Sequence, residues 1–318
     1  MPGWKAAHVP DQSGRTAVVT GANSGIGYFA ARELARHGAS VVLACRSAAR
    51  GRAAEVQMRT EVPGADVEFM PLDLADLATV REFAQGYAQR HGTLDLLVNN
   101  AGVMALPFGR TVDGFETQFG VNHLGHFALT GLLLPRLLAA APGARIVNLS
   151  SGFHALGDVD HADLNGERNY RRWIAYGRSK TANLLFTHEL ARRLAAAGSG
   201  IVAAAAHPGY ASTNLHVAAT PQAGTTLTSR IAVAANNLGN TIGNGVIAQS
   251  AASGALPTLY AATAPGVRPD EFIGPRLGFR GAPARSWRAK WTLDDKSGER
   301  LWAASEKLTG VSYTSLSR

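Results

Sequence analysis

Cysteine is almost absent from this 318-residue chain, with Cys45 the only one. A single thiol excludes a disulfide scaffold and any Cys-rich zinc or iron–sulfur centre. Long apolar runs are missing as well. The longest, Phe127 to Ala141, is interrupted by Arg136 and falls short of the ~20 residues that a membrane-spanning helix needs. Met1 to Gly14 carries Lys5, His8, Pro10 and Asp11 and no apolar stretch. The expectation is therefore no signal peptide, no integral membrane segment and a cytoplasmic location. Acidic residues are outnumbered, 23 against 31 Lys+Arg, for a formal charge of +8. The basic residues are mostly arginines scattered singly, which reads as a solvated surface rather than a nucleic-acid interface. Hydrophobic residues make up 46% and charged residues 17%, a globular composition.

What is present is an alternation of short β-rich runs with longer helical ones. Strands are expected at Thr16–Thr20, Ser40–Ala44, Asp66–Met70, Leu94–Val98, Ala144–Leu149 and Ile201–Ala206. Between them lie helical patterns at Gly25–His37, Ala48–Thr60, Leu77–Arg90, Val112–Ala141 and Ala175–Ala197. Near-continuous apolar strands separated by helices predict a parallel sheet covered on both faces. Right-handed crossovers make it a Rossmann-type doubly wound α/β fold. No Pro/Ser linker divides the chain, so a single domain is expected over residues 14–263. A C-terminal extension, 264–318, is expected to pack on it through Trp287, Trp291 and Trp302. Two stretches break the pattern, Ser151–Trp173 and Ala211–Asn244, and loops this long are usually functional.

Strand Thr16–Thr20 runs straight into Gly21, Ala22, Asn23, Ser24, Gly25, Ile26 and Gly27 and then a helix. Gly21 permits the sharp turn, Gly25 lets backbone approach a pyrophosphate, and Gly27 allows helix and strand to pack closely. The helix N-terminus adds amide donors and a positive dipole. After the second strand, where a carboxylate would bind ribose hydroxyls, stand Cys45, Arg46 and Ser47, with Arg50 and Arg52 beyond. A guanidinium suits a 2′-phosphate, so NADP(H) is the cofactor read from Arg46. Asp73 and Leu74 follow the third strand; Asn99, Ala101 and Gly102 follow or end the fourth. Carboxyl ends of strands are where open α/β sheets bind ligands. Asp73 is a candidate for the adenine amino group, and Asn99 for bracing the central strands.

Tyr176 and Lys180 are spaced i, i+4 near the start of a helix and share a face. An ammonium beside a phenol favours the phenolate, which predicts a lowered Tyr176 pKa. Ser151 lies just beyond the fifth strand, within reach of a substrate oxygen. His123 and His126 are i, i+3 on a helix, but no carboxylate pattern completes a metal site.

Taken as a set, TGANSGIG (Thr20–Gly27), Asp73, NNAG (Asn99–Gly102), Asn122, Ser151, YGRSK (Tyr176–Lys180) and Pro208-Gly209 resemble the short-chain dehydrogenase/reductase family. The resemblance covers about residues 14 to 263. LACR ending at Arg46, NNAGVM, VNHLGHF, RIVNLSS and LWAASEKLTG make it most similar to the retinol dehydrogenase-like branch, which includes the WW-domain oxidoreductases. The resemblance implies an oxidoreductase in which Tyr176 is the general acid/base. Lys180 would hold the nicotinamide ribose, and Ser151 would position the substrate oxygen. Asn122 would hold a water linking Lys180 to solvent. Pro208, Gly209 and Thr213 would close over the nicotinamide. Ser151 rather than Ser150 is chosen because the family serine is the second of the pair.

Ser151 and Tyr176 stand 25 positions apart in the numbering, about twice the spacing of many family members. The extra loop carries Phe153, His154, Tyr170 and Trp173, which together with Tyr210 are candidates to wall a bulky apolar pocket. Val103, Met104 and Leu106 are further candidates. The expected substrate is an apolar alcohol or its aldehyde or ketone, of retinoid, steroid or lipid type. The competing reading is a catalytically silent nucleotide-binding protein on the same fold. In the family, pairing through the long helices near Val112–Ala141 and Ala175–Ala197 makes a homo-oligomer compatible.

Overall fold

The apolar runs become strands because both their faces are covered. In the computed structural model, which describes residues 3–210 and 249–316, β1 spans Thr16–Thr20, β2 Ser40–Cys45, β3 Val67–Pro71 and β4 Leu96–Asn99. β5 spans Arg145–Leu149, β6 Val202–Ala206, β7 Phe272–Pro275 and β8 Pro283–Arg285. They form one sheet in the order β3-β2-β1-β4-β5-β6-β7-β8. All neighbours are parallel except the last pair. Successive residues alternate between two cores, as the two-residue period of a strand demands. Val18 and Leu97 enter one core; Ala17, Val19, Leu96 and Val98 enter the other.

The helices are α1 (Gly25–Arg36), α2 (Ala48–Glu61), α3 (Leu77–Arg90), α4 (Gly125–Ala139), α5 (Arg172–Ala196), α6 (Ala251–Thr263) and α7 (Asp295–Thr309). Helix α1 buries Ile26, Ala30, Ala31 and Leu34 along one stripe. The winding reverses between β1 and β4, which opens a crevice at the carboxyl ends of the central strands.

The helix expected over Val112–Ala141 is shorter and broken. Arg110 and Glu116 form an antiparallel bridge around a turn with Gly114 at φ +85°. Asp113 is drawn away to accept the Leu77 amide at the start of α3, 2.9 Å distant. Helical structure begins only at Thr117, passes through a π-helical segment, Gly120–Leu124, and continues as α4. Helix α5 starts at Arg172, so Trp173 belongs to it rather than to the polar loop. That loop opens with a 3₁₀ turn, Gly152–Leu156, capped by the Ser151 hydroxyl, which accepts from Phe153 N.

Beyond residue 263 the chain supplies β7 and β8 to the sheet itself and then α7. Of the three tryptophans, Trp302 packs in the core against Phe127 and Tyr313, with ring centroids 5.2 and 4.5 Å apart. Trp287 is 69% exposed: it follows edge strand β8, with its ring 5.6 Å from that of His154. No helix among the described residues is long and apolar enough to cross a membrane.

The C-terminal segments are also tied down by charge. His188 on α5 lies 2.7 Å from Asp270 and 2.8 Å from Asp295. The Asp270 hydrogen bond raises its pKa most, against burial and the nearby Arg288. A raised folded-state pKa stabilises the fold below the unfolded value, and that contribution is lost as pH rises through the folded value. The Tm difference between the protein and a His188→Gln variant should therefore be larger near pH 5.5 than at pH 9. Partly exposed pairs of this kind contribute up to ~1 kcal/mol. Thermal unfolding at both pH values checks it; a pH-independent difference would show that the ion pairs contribute nothing.

Candidate active site

The crevice, with a volume of ≈ 480 Å³, runs from the phosphate loop to Tyr176. At one end lie Gly21, Asn23, Ser24, Gly25, Ile26 and Gly27. Gly21 and Gly25 have φ of +66° and +57°, a region costly for any side chain. A Cβ on Gly27 would sit 2.6 Å from the Gly21 carbonyl oxygen and 2.4 Å from Asn100 Nδ2. Ser24 makes no side-chain cap, so the first-turn amides of α1 face the crevice. This is a cradle with amide donors and room only for backbone, which fits a pyrophosphate. Arg46, Ser47 and Arg50 line the crevice beside it, as do Asp73 and Leu74. Arg52 does not: its guanidinium lies over the Phe69 ring, 5.8 Å from the centroid. Asp73 Oδ1 also accepts from Ala75 N, which sets the carboxylate's orientation.

The fourth-strand motif divides its work between two asparagines. Asn99 faces inward, 1% exposed, and its Nδ2 donates to Asn148 Oδ1 and Thr130 Oγ1. It braces β4 against β5 and α4, and does not line the crevice. Asn100 lines it instead, its Nδ2 donating to the Thr20 carbonyl at 2.7 Å. Strand alternation explains the difference: Asn99 is the last residue in register, and Asn100 points the other way. Ala101 and Gly102 continue the wall. A Cβ on Gly102 would lie 3.1 Å from Asn122 Oδ1 and 3.4 Å from Lys180 Nζ.

Four polar side chains converge on the other end. Tyr176 and Lys180 are both buried on α5, with Nζ 5.7 Å from the Tyr176 ring centroid. Lys180 Nζ donates to the Leu149 carbonyl at 3.2 Å. Ser151 hydrogen-bonds the Tyr176 hydroxyl. The neighbouring Ser150 is unavailable, since its hydroxyl donates to the Lys180 carbonyl. Asn122 sits in the π-helical segment, where Nδ2 donates to Val103 O and Ser179 Oγ and Oδ1 accepts from Val103 N. π-Helical segments of this kind recur at functional sites. The predicted lowering of the Tyr176 pKa is not found. Burial pushes the phenol up to about 12, only partly opposed by the Ser151 bond. Burial also pushes Lys180 down to about 8, since no carboxylate pairs with it among the described residues. The ammonium is aimed at a carbonyl, not at the phenol oxygen.

The extra loop splits into two places. Phe153 stacks on Trp173 at 5.2 Å and meets the Tyr176 ring edge-on at 5.8 Å, so Phe153 flanks Tyr176 and Trp173 lies behind it. Both are partly exposed. Tyr170 is elsewhere: its hydroxyl is held by Gln118 Nε2, Glu116 and the Leu106 carbonyl, and its ring borders a separate small pocket with Glu116 and Arg178. His154 is 1% exposed; Nδ1 faces the Ser151 carbonyl and Nε2 accepts from Ala289 N, so it joins segments rather than walling a pocket. Val103 and Leu106 line the crevice, and Met104 packs on Tyr176. Pro208 lines it too, whereas Gly209 packs against Pro275 and the Phe279 backbone. Tyr210 is at the surface, its amide bonded to the Phe279 carbonyl. Thr213, like the Ala211–Asn244 stretch, lies outside the described residues. Thr117 and Val121 also line the crevice and were not singled out by sequence. The cue for them was their i, i+4 spacing, which puts the two on one helical face.

The family model described as short chain dehydrogenase matches residues 15–224. Retinol dehydrogenase 12 of Mus musculus is 41% identical over 301 residues, covering 94% of this chain and 88% of that protein. A crystal structure of a protein from Mycobacterium paratuberculosis is 44% identical, with a TM-score of 0.79, covering 98% of this chain and 99% of that one. The Pseudomonas aeruginosa RhlG/NADP complex is 26% identical, with a TM-score of 0.62, covering 85% of this chain and 97% of that one. With a family model spanning most of the sheet and relatives alike along nearly the whole length, the chain belongs to the short-chain dehydrogenase/reductase family of oxidoreductases, in its retinol dehydrogenase-like branch.

Proposed function

We propose that this protein uses NADP(H) to interconvert an apolar alcohol and its aldehyde or ketone, acting on a retinoid-, steroid- or lipid-like molecule. The observation that carries this reading is one crevice lined by Tyr176 and Lys180 at one end, with Ser151 beside the Tyr176 hydroxyl, and by a glycine cradle with Arg46 and Arg50 at the other. Gly21–Gly27 would hold the pyrophosphate, Arg46 the 2′-phosphate and Asp73 the adenine. Lys180 would hold the nicotinamide ribose. The nicotinamide, when bound, supplies or accepts the hydride at the substrate carbon. Ser151 orients the substrate oxygen and Tyr176 exchanges a proton with it; Asn122 holds the water path behind Lys180. Complexes with NADP among the structural neighbours support the cofactor, and the retinol dehydrogenase relatives support an apolar substrate. The test is a screen of aldehydes, ketones and alcohols of graded size, followed at the nicotinamide absorbance with NADPH and NADH. Nucleotide binding with no turnover across the screen would favour the silent nucleotide-binding alternative.

The aromatic pair beside Tyr176 predicts selectivity. Replacing Phe153 and Trp173 by alanine removes a stacked pair and should raise KM for bulky apolar substrates by about tenfold. Each ring pair contributes ~0.5–1.5 kcal/mol beyond its buried area. Small aldehydes should change by less than about threefold. Steady-state kinetics on both classes decides, provided NADPH affinity is intact; equal losses would mean that the pair merely caps the surface.

A further inference from the structure

The chemistry above leaves one histidine in the middle of the site unused. His126, at the start of α4, is 2% exposed and binds through both ring nitrogens. Nδ1 lies 3.0 Å from the main-chain oxygen of Asn122, and Nε2 lies 2.9 Å from Thr20 Oγ1. A carbonyl oxygen only accepts, so Nδ1 carries the proton and Nε2 is the acceptor. Thr20 must then donate its hydroxyl proton to the ring. Its oxygen in turn accepts the amides of Asn100 at 2.8 Å and Ala101 at 2.9 Å. The Val98 carbonyl, 3.4 Å from Thr20 Oγ1, is the more distant acceptor; the ring, at 2.9 Å, is the nearer one. Burial lowers the His126 pKa to about 4, in keeping with a neutral ring. The neighbouring His123 turns away to Ser305, so the two histidines do not converge on a common ligand.

Both ends of this link are functional positions. Thr20 is the last residue of β1, immediately before the phosphate loop, and Asn100–Ala101 is the adjoining wall of the crevice. Asn122 continues through Ser179 Oγ to the main-chain oxygen of Tyr176. The Asn122 carbonyl lies within the π-helical turn, where Gly125 N bonds back five residues to Gly120 O. We propose that His126 is a positioning residue that locks the Asn122 turn to the nucleotide-binding loop, so that the proton path and the cofactor cradle are held in one frame. This rests on the reading of Asn122 and Lys180 given above.

Two substitutions cut the same link from opposite sides: His126→Phe, which keeps a ring, and Thr20→Val, which keeps the shape. His126→Phe should weaken NADPH binding about three- to tenfold, the value of one buried hydrogen bond. Thr20→Val should weaken it by more, because it also takes the acceptor from the Asn100 and Ala101 amides. The double variant should be no weaker than Thr20→Val alone, because that substitution already removes the link to His126. With any aldehyde that the protein reduces, His126→Phe should lower kcat about tenfold at nearly unchanged KM. His126→Gln, whose amide offers a donor and an acceptor, should restore most of it. Additive losses, wild-type kcat and affinity in His126→Phe, or a glutamine no better than phenylalanine would overturn the proposal. Should the variants not fold, ¹⁵N NMR of the unmodified protein decides: the neutral Nδ1-protonated tautomer is expected, and an Nε2-protonated ring overturns it. A protein that binds NADPH yet reduces nothing would sink the proposed activity, while the affinity cycle and the tautomer would still decide the role of His126.

Discussion

Tyr176→Phe should lose about 10²–10⁴-fold in turnover, the usual contribution of a positioned proton donor. The substitution removes one oxygen from a ring that stays packed against Met104 and Phe153, so NADPH affinity and Tm should change little. The direction of the pH profile follows from burial. With Tyr176 pushed up to about 12, the acid form needed for carbonyl reduction is present throughout the neutral range. Lys180, pushed down to about 8, loses its charge first. Reduction should therefore be level below about pH 8 and fall above it, as the ammonium that would hold the ribose is discharged. Stopped-flow or steady-state reduction between pH 6 and 10, on both proteins, tests both statements. A Tyr176→Phe protein with near-wild-type turnover would remove Tyr176 from the mechanism. Activity that rises through pH 8 in the reducing direction would assign the Lys180 role to another group.

Arg46→Ala should weaken NADPH binding by roughly ten- to a hundredfold and leave NADH nearly unchanged. A charge-assisted hydrogen bond contributes about 1.5–3 kcal/mol. Arg46 is exposed at the end of β2, lines the crevice, and among the described residues no carboxylate pairs with it. The smaller end of the range is expected, because Arg50 lines the same wall and can take over part of the contact. Arg52, held over Phe69, cannot. Fluorescence titration of both nucleotides at fixed salt measures the effect, since exposed phosphate contacts are screened. Equal wild-type affinities for NADPH and NADH, or a variant that loses both alike, would make Arg46 a surface charge and return NAD to consideration.

The order of the first six strands and their helices, the glycine loop and the shared helical face of Tyr176 and Lys180 were legible in the sequence because each depends on local chemistry. A buried strand must be apolar throughout, a turn with positive φ needs glycine, and an i, i+4 pair on a helix shares a face whatever surrounds it. The last two strands, β7 and β8, were not legible. They are four and three residues long, and β7 ends in a Gly-Pro pair that reads as a turn until β8 is there to pair with it. Nor was the break in the long helix, which hinges on Asp113 finding the α3 N-terminus, 36 residues earlier in the chain.

Within the site the same division holds. Asn99 and Asn100 are adjacent and identical, and only the register of β4 against β5 decides which braces the core and which faces the crevice. Tyr170 and Trp173 occupy one loop in sequence, yet the anchoring of Tyr170 by Glu116 and Gln118 takes it to another pocket. Spacing alone predicted that Lys180 would acidify Tyr176. Spacing carries no information on burial, and in the folded chain desolvation moves both groups, Tyr176 up and Lys180 down. Residue type and spacing determined which chemistry this protein carries. The tertiary structure decided which of those groups meet, because partner choice and desolvation arise only once segments distant in the chain are packed together.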